Sequence, residues 1–175
     1  MREMVERVDE HDRVLGIADR ETVVRRGWIH RSAGTICWDR KGRILICQRP
    51  YEQRRFPGRH QIFIGGAVGV GETYEAAARR ELSEELGIAA DLTYVTKTLV
   101  HGEIHPYWLS VYETRLDQRL RPDPAEVLAT RWVTVAELRD ALHAWPFRAD
   151  DRSSLAQYLL ATVGEHLVGP GPGAG

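Results

Sequence analysis

Apolar residues recur at alternate positions through much of this chain, and the breaks in that rhythm divide it into elements. "IHRSAGTICWD" (29–39) alternates apolar with small or polar residues, which predicts a strand. "DRKG" is a turn signal, and "RILICQR" (43–49) is a second strand that should pair with the first as a hairpin. Ahead of them, "VERVDEHDRVLGIADRETV" predicts a short hairpin turning at "HDR" and leading into a brief helical segment. "PYEQRRFPGRH" is too polar and too rich in Pro and Gly for a strand and reads as a loop, after which "QIFIGGAVGVGE" is a short buried strand that dissolves into glycines.

The period then changes. Ala76, Ala77, Ala78, Leu82 and Leu86 give a narrow apolar side to a helix over Thr73–Leu86, and Gly87 is its expected stop. "DLTYVTKTLVHGE" and "YWLSVYETRL" return to strand rhythm, "RPDPAEV" is a loop, and "ATRWVTV" is a further short strand. Thr134 and Glu137 fit a capping box for a helix through about Ala144, and an amphipathic helix runs from about Asp151 to His166. "GPGPGAG" (169–175) reads as a disordered tail. Nothing divides the preceding residues, so we expect one domain over 1–168 with the N-terminal hairpin, 4–22, included. Strands mixed with a few helices give an α/β or α+β sandwich.

Composition narrows the function more than the fold. At 175 residues and 43% hydrophobic content, the chain can bury a proper core. A formal charge of -1 provides no field for nucleic acid or an anionic membrane. No apolar run is long enough to span a bilayer, and "MREMVERVDEHD" lacks an apolar signal core. Cys37 and Cys47, the only cysteines, sit in apolar strand-like runs and read as buried thiols. A cytoplasmic protein is the expectation.

The candidate chemistry lies in "RRELSEELGI" (79–88). Glu81, Glu84 and Glu85 share a helix face at spacings of three and four, which costs about 0.2–0.5 kcal/mol per like-charged pair. They also stand in the last turns, where the helix dipole favours cations. Carboxylates so placed make sense as ligands of a hard divalent cation, which reverses the sign of the site.

The longer run "GAVGVGETYEAAARRELSEELGI" (66–88) matches the Nudix box, G-x5-E-x7-R-E-U-x-E-E-x-G-U with U apolar. Gly66, Glu72, Arg80, Glu81, Glu84, Glu85 and Gly87 fill the fixed positions, and Leu82 and Ile88 the apolar ones. Average composition puts such a match by chance at on the order of a few in a billion per starting position. The chain thus resembles the Nudix hydrolase superfamily. The resemblance implies an α/β/α sandwich with a mixed central sheet, and hydrolysis of a diphosphate bond with Mg²⁺ or Mn²⁺. It implies Glu81, Glu84, Glu85 and the backbone carbonyl of Gly66 as metal ligands. A glutamate, from the box or from another loop, would act as general base. Arg80 would pair with Glu84 or with Glu72 and orient a carboxylate.

Over residues 5–160 the chain looks like the branch that holds isopentenyl-diphosphate isomerases, and still more like the hydrolases related to them. Such an isomerase needs a cysteine followed two residues later by a metal-binding histidine, where this chain has Gly65 and Ala67. His30 falls at one of the isomerase's metal histidines, but the second has no counterpart. "HPYWLSVYET" is apolar where the isomerase has a catalytic acid. Hydrolase is therefore the reading, with the isomerase and a non-catalytic nucleotide sensor as the rivals.

The expected substrate is a nucleoside di- or triphosphate or another nucleotide-linked diphosphate. Pro106 and Tyr107 are displaced from the positions that mark ADP-ribose or dinucleoside-polyphosphate hydrolases. Arg49, Arg54 and Arg55 are candidate phosphate ligands. Glu103 reads as a base or base-reading residue or as part of a solvated loop, with His101 and His105 beside it. Tyr107 and Trp108 read as stacking or core residues, Glu126 as an accessory metal ligand, His30 as a hydrogen-bonded strand residue, and Tyr74 as packing. A homodimer is possible on the family's pattern, through the N-terminal hairpin or the last helix.

Overall fold

The computed structural model describes residues 3–167. Its elements begin with the predicted hairpin, β1 (Met4–Val8) and β2 (Val14–Asp19), closed where the Asp9 carboxylate accepts from the His11 and Arg13 amides. Asp19 caps the short α1 (Arg20–Arg25). The spine of the sheet is β3 (Ile29–Asp39). It runs parallel to β8 (Pro106–Leu116) in unbroken register from His30↔Tyr107 to Asp39↔Leu116.

On its other side β3 is shared, so the predicted hairpin with the next strand forms across the turn after Asp39 but is short. β4 (Ile44–Gln48) meets β3 at the single pair Trp38↔Ile44 and then diverges to pair with β5 (His60–Gln61) and β9 (Ala129–Val133). The edge of β3 that β4 was expected to fill belongs to β6 (Ile64–Ala67), paired from Ser32↔Ala67 to Thr35↔Ile64. Bare glycine backbone permits that closeness: a Cβ on Gly65 would stand 2.0 Å from the Ala33 carbonyl oxygen. β7 (Thr93–His101) completes the sheet against β8.

Alternation decides which layer each strand residue meets. Ala33, Cys37, Leu45 and Cys47 face α2 (Tyr74–Leu86), whose Ala77, Ala78, Leu82 and Leu86 are buried. Ile36, Ile44 and Ile46 face the opposite way, towards Leu138 and Ala141 of α3 (Val135–Ala144) and Leu155 and Tyr158 of α4 (Ala149–Leu167). The sheet is thus mixed and held between helices, as the resemblance implied. Leu82 is fully buried, so its truncation to alanine should cost about 2–5 kcal/mol.

The predicted helix ends hold. The Thr73 hydroxyl accepts from the Ala76 amide, Gly87 closes α2 with φ of 63°, and the Thr134–Glu137 box opens α3. α4 starts at Ala149, so Asp150 and Asp151 are buried in its first turn, where the Asp151 carboxylate accepts from the Ile62 amide at 2.6 Å. Among the described residues no helix is long and apolar enough to cross a membrane. The predicted tail lies outside the described residues.

Candidate active site

The acidic turn of α2 lies beside β6, and Arg80 ties them together. One guanidinium nitrogen donates to Glu81 at 2.6 Å and to Glu84 at 3.0 Å. The rest of the fork reaches both Glu72 oxygens, at 3.0 and 3.1 Å, and the Ala67 carbonyl at 2.9 Å. The two pairings expected for Arg80 both form, and Glu81 is added. Glu72 also accepts from the Gly69 amide at 2.8 Å, which fixes the glycine loop to the start of α2. Gly66 makes room for Glu81: a Cβ there would lie 2.5 Å from its carboxylate oxygen.

The three acids differ in setting. Glu84 is exposed, with 56% of its side chain open to solvent. Burial raises Glu81 above the ordinary carboxylate range against the pull of Arg80. Burial, with the charge of Glu81, pushes Glu85 up to about 8. Glu85 is only 5% exposed and accepts from the Gln61 amide at 3.0 Å. Among the described residues no three acids, histidines or cysteines already converge as a metal cluster. The donors themselves fit a hard divalent cation: carboxylate oxygens on one helix face, with a backbone approach that only glycine allows.

A pocket opens beside Gly65 and Gly66, and its lining gathers four arginines, with Asp150 and Asp151 beside Arg148. Arg20, Arg49, Arg55 and Arg148 all line it, from three separate stretches of chain. Burial lowers Arg49 and Arg55, and a second guanidinium lowers each further: Arg148 for Arg49, Arg20 for Arg55. His30 and His105 lie at the same end with their Nε2 atoms 3.0 Å apart. Burial, then Arg20, depresses His30 to about 3, while burial, then Arg55, brings His105 down to about 4. Both are neutral at pH 7. His30 Nδ1 donates to the Arg31 carbonyl at 2.9 Å, leaving its Nε2 to accept from His105.

The other candidates separate. Arg54 is on the surface, 84% exposed and paired with Glu21. Glu103 pairs with Arg59 at 3.4 Å outside the pocket lining. Tyr107 lines the pocket but donates its hydroxyl to Asp150 at 3.1 Å. Trp108 points to the N-terminal hairpin and donates to the Asp9 carbonyl at 3.0 Å. Tyr74 donates to Asp12, in the same hairpin. Glu126 accepts from Gln53 at 2.9 Å and adds negative charge at Glu85 and Arg49. Arg20, Arg148, Gln53 and Gln61 carry no motif that marks them in the sequence; tertiary contact alone assembles them.

The NUDIX domain model matches residues 28–158. The chain belongs to the Nudix family. It is 36% identical over 159 residues to an uncharacterised Nudix hydrolase of Streptomyces coelicolor, covering 89% of this chain and 87% of that one. It is 38% identical over 149 residues to an isopentenyl-diphosphate Delta-isomerase of Nocardia farcinica, covering 81% and 85%. The crystal structure of DR0079 from Deinococcus radiodurans matches with a TM-score of 0.78 at 24% identity, over 89% of this chain and 99% of that one, a likeness of fold. Family and relatives make this Nudix protein a pyrophosphohydrolase.

Proposed function

We propose that this Nudix domain, residues 1–168, hydrolyses the diphosphate bond of a small molecule in the cytoplasm. The preferred substrate is a nucleoside di- or triphosphate or another nucleoside diphosphate-linked compound, and Mg²⁺ or Mn²⁺ is required. One observation carries the reading: the pocket that gathers the guanidinium groups is also lined by Gly66, and the Glu81 carboxylate of α2 stands directly against that glycine. Carboxylates alone repel a diphosphate, and guanidiniums alone bind it without cleaving it.

Glu81, Glu84, Glu85 and the Gly66 carbonyl would hold the metal. When bound, the cation offsets the charge of the diphosphate and acidifies a water. Arg49 and Arg55, with Arg20 and Arg148, bind phosphate oxygens through their planar forks. A glutamate of the cluster takes the proton of the attacking water. Arg80 keeps Glu81 and Glu84 in place rather than touching substrate.

The isomerase relative makes the rival reading concrete, and the site argues against it. A side chain at position 65 would meet the Ala33 backbone, so no thiol fits where the isomerase carries one. Cys37 and Cys47 are buried between the sheet and α2, where burial raises both thiols.

The test is a panel of nucleoside diphosphates, nucleoside triphosphates, sugar nucleotides and isopentenyl diphosphate, each with Mg²⁺ or Mn²⁺, scored for phosphate release and product identity. Release from a nucleotide, lost on chelation, is the expected result. An allylic isomer from isopentenyl diphosphate, or nucleotide binding with no release from any compound, would refute it.

A further inference from the structure

Arg49 sits between two carboxylates and makes a direct ion pair with neither Glu85 nor Glu126. A glutamine stands in each gap. Arg49 Nη1 donates to the Gln61 side-chain oxygen at 3.1 Å, and the Gln61 amide nitrogen donates to Glu85 at 3.0 Å. On the other side Arg49 Nη2 donates to the Gln53 oxygen at 2.8 Å, and the Gln53 nitrogen donates to Glu126 at 2.9 Å. Arg49 Nε donates to the Arg55 carbonyl at 3.2 Å. The amide orientations follow from Arg49, because a guanidinium can only donate: each glutamine turns its oxygen to Arg49 and its amide nitrogen to a glutamate oxygen. Gln61 is 1% exposed, so its arm is fixed in the interior, while the Gln53 arm lies near the surface.

This arrangement has an electrostatic purpose. A guanidinium left free beside a carboxylate closes onto it as a bidentate pair, the strongest geometry available to both. Such a pair would take the carboxylate oxygens that a metal needs and the N–H groups that a phosphate needs. A neutral amide transmits orientation without neutralising either charge. With its three nitrogens each tied once, Arg49 keeps two of its five N–H groups for a ligand.

We propose that Gln61 and Gln53 are positioning residues for the diphosphate reaction: neutral spacers that hold Arg49 ready for phosphate while keeping it off Glu85 and Glu126. The inference rests on the metal-dependent reading above and adds residues that no box motif contains.

The experiment measures Mn²⁺ affinity of the full chain by electron paramagnetic resonance, without substrate, alongside kcat and KM on the best panel substrate. Gln61→Leu frees Arg49 to close on Glu85, so Mn²⁺ affinity should fall roughly tenfold or more, the range for loss of a partner behind a metal ligand. Adding Arg49→Met to that variant removes the intruding charge and should restore most of the lost affinity. A merely structural Gln61 would not be rescued by deleting its neighbour. Gln53→Leu, near the surface and able to fold if Gln61→Leu cannot, should raise KM several-fold more than it lowers kcat. Wild-type affinity in Gln61→Leu, or a double variant no better than the single, overturns the spacer role. So does a Gln53→Leu variant whose KM is unchanged. A wild-type chain that binds no Mn²⁺ and cleaves nothing instead overturns the proposed function, and the spacer with it.

Discussion

The acidic and cationic walls of the candidate site are built in opposite ways. The acidic wall, next to the pocket behind Gly66, comes from one helix, with Glu81, Glu84 and Glu85 within five consecutive residues. The cationic wall gathers Arg20 from α1, Arg49 and Arg55 from the loop after β4, and Arg148 from just before α4. A metal needs oxygens at fixed mutual distances, and a helical turn sets those locally. A phosphate needs donors around its periphery, and only separate segments can surround it.

Removing one acid should have the largest effect. Glu85→Gln keeps the shape and the Gln61 contact site but removes a ligand charge; kcat should fall by more than about 100-fold, beyond the loss of an outer partner, with the fold retained by circular dichroism. Glu84→Gln should behave the same way. Near wild-type turnover in either variant would remove the acidic wall from the chemistry.

The cationic wall should respond residue by residue. Arg49→Met removes a tied, pocket-lining guanidinium, and a charge-assisted hydrogen bond of about 1.5–3 kcal/mol predicts a KM raised roughly 10-fold or more. Arg54→Met removes an exposed surface pair with Glu21 and should leave KM within about twofold. Equal effects in steady-state kinetics would mean that pocket geometry does not distinguish these arginines.

That contrast also explains what could be read from the chain alone. The box, the caps at Thr73 and Thr134 and the strand rhythm are local, and each appears where its spacing put it. The β3–β4 hairpin forms but pairs over less of β3 than its strand rhythm predicts, because the competitor for that edge, β6, is a short glycine-bearing strand whose pairing depends on backbone closeness rather than on side-chain pattern. Arg54 and Arg55 are adjacent and indistinguishable in sequence, yet one pairs with Glu21 and the other faces the pocket. Nothing in the neighbourhoods of Arg20 and Arg148 marks where the chain will bring them.

A smaller effect tests the floor between the walls. Gly65→Cys, which restores the thiol position of the isomerases, places a Cβ 2.0 Å from the Ala33 carbonyl oxygen. Forced separation of β3 and β6 should cost about 1–3 kcal/mol or more, read as a lowered urea midpoint. The variant should gain no isomerase activity. A stable Gly65→Cys would show that β6 can move away from β3.

The smallest effect is a pH dependence of stability confined to the metal-free protein. Glu85 is raised from its usual 4.5 to about 8, first by burial and then by Glu81. Between those values the folded chain holds a proton that the unfolded chain has released, so this group's stabilisation is complete below 4.5 and declines as pH rises towards 8. His30 and His105, depressed to about 3 and 4, act in the opposite direction: their contribution is lost as pH falls below the ordinary histidine value of 6.5. The difference between wild type and Glu85→Gln isolates the carboxyl, since both retain the histidines. In chelator, the melting temperature of Glu85→Gln relative to wild type should rise as pH goes from about 5 to 8. Saturating Mn²⁺ should raise the wild-type value most at the alkaline end, where the ionised Glu85 most needs a counter-charge. A pH-independent difference would mean that the acidic wall relieves its repulsion without holding a proton.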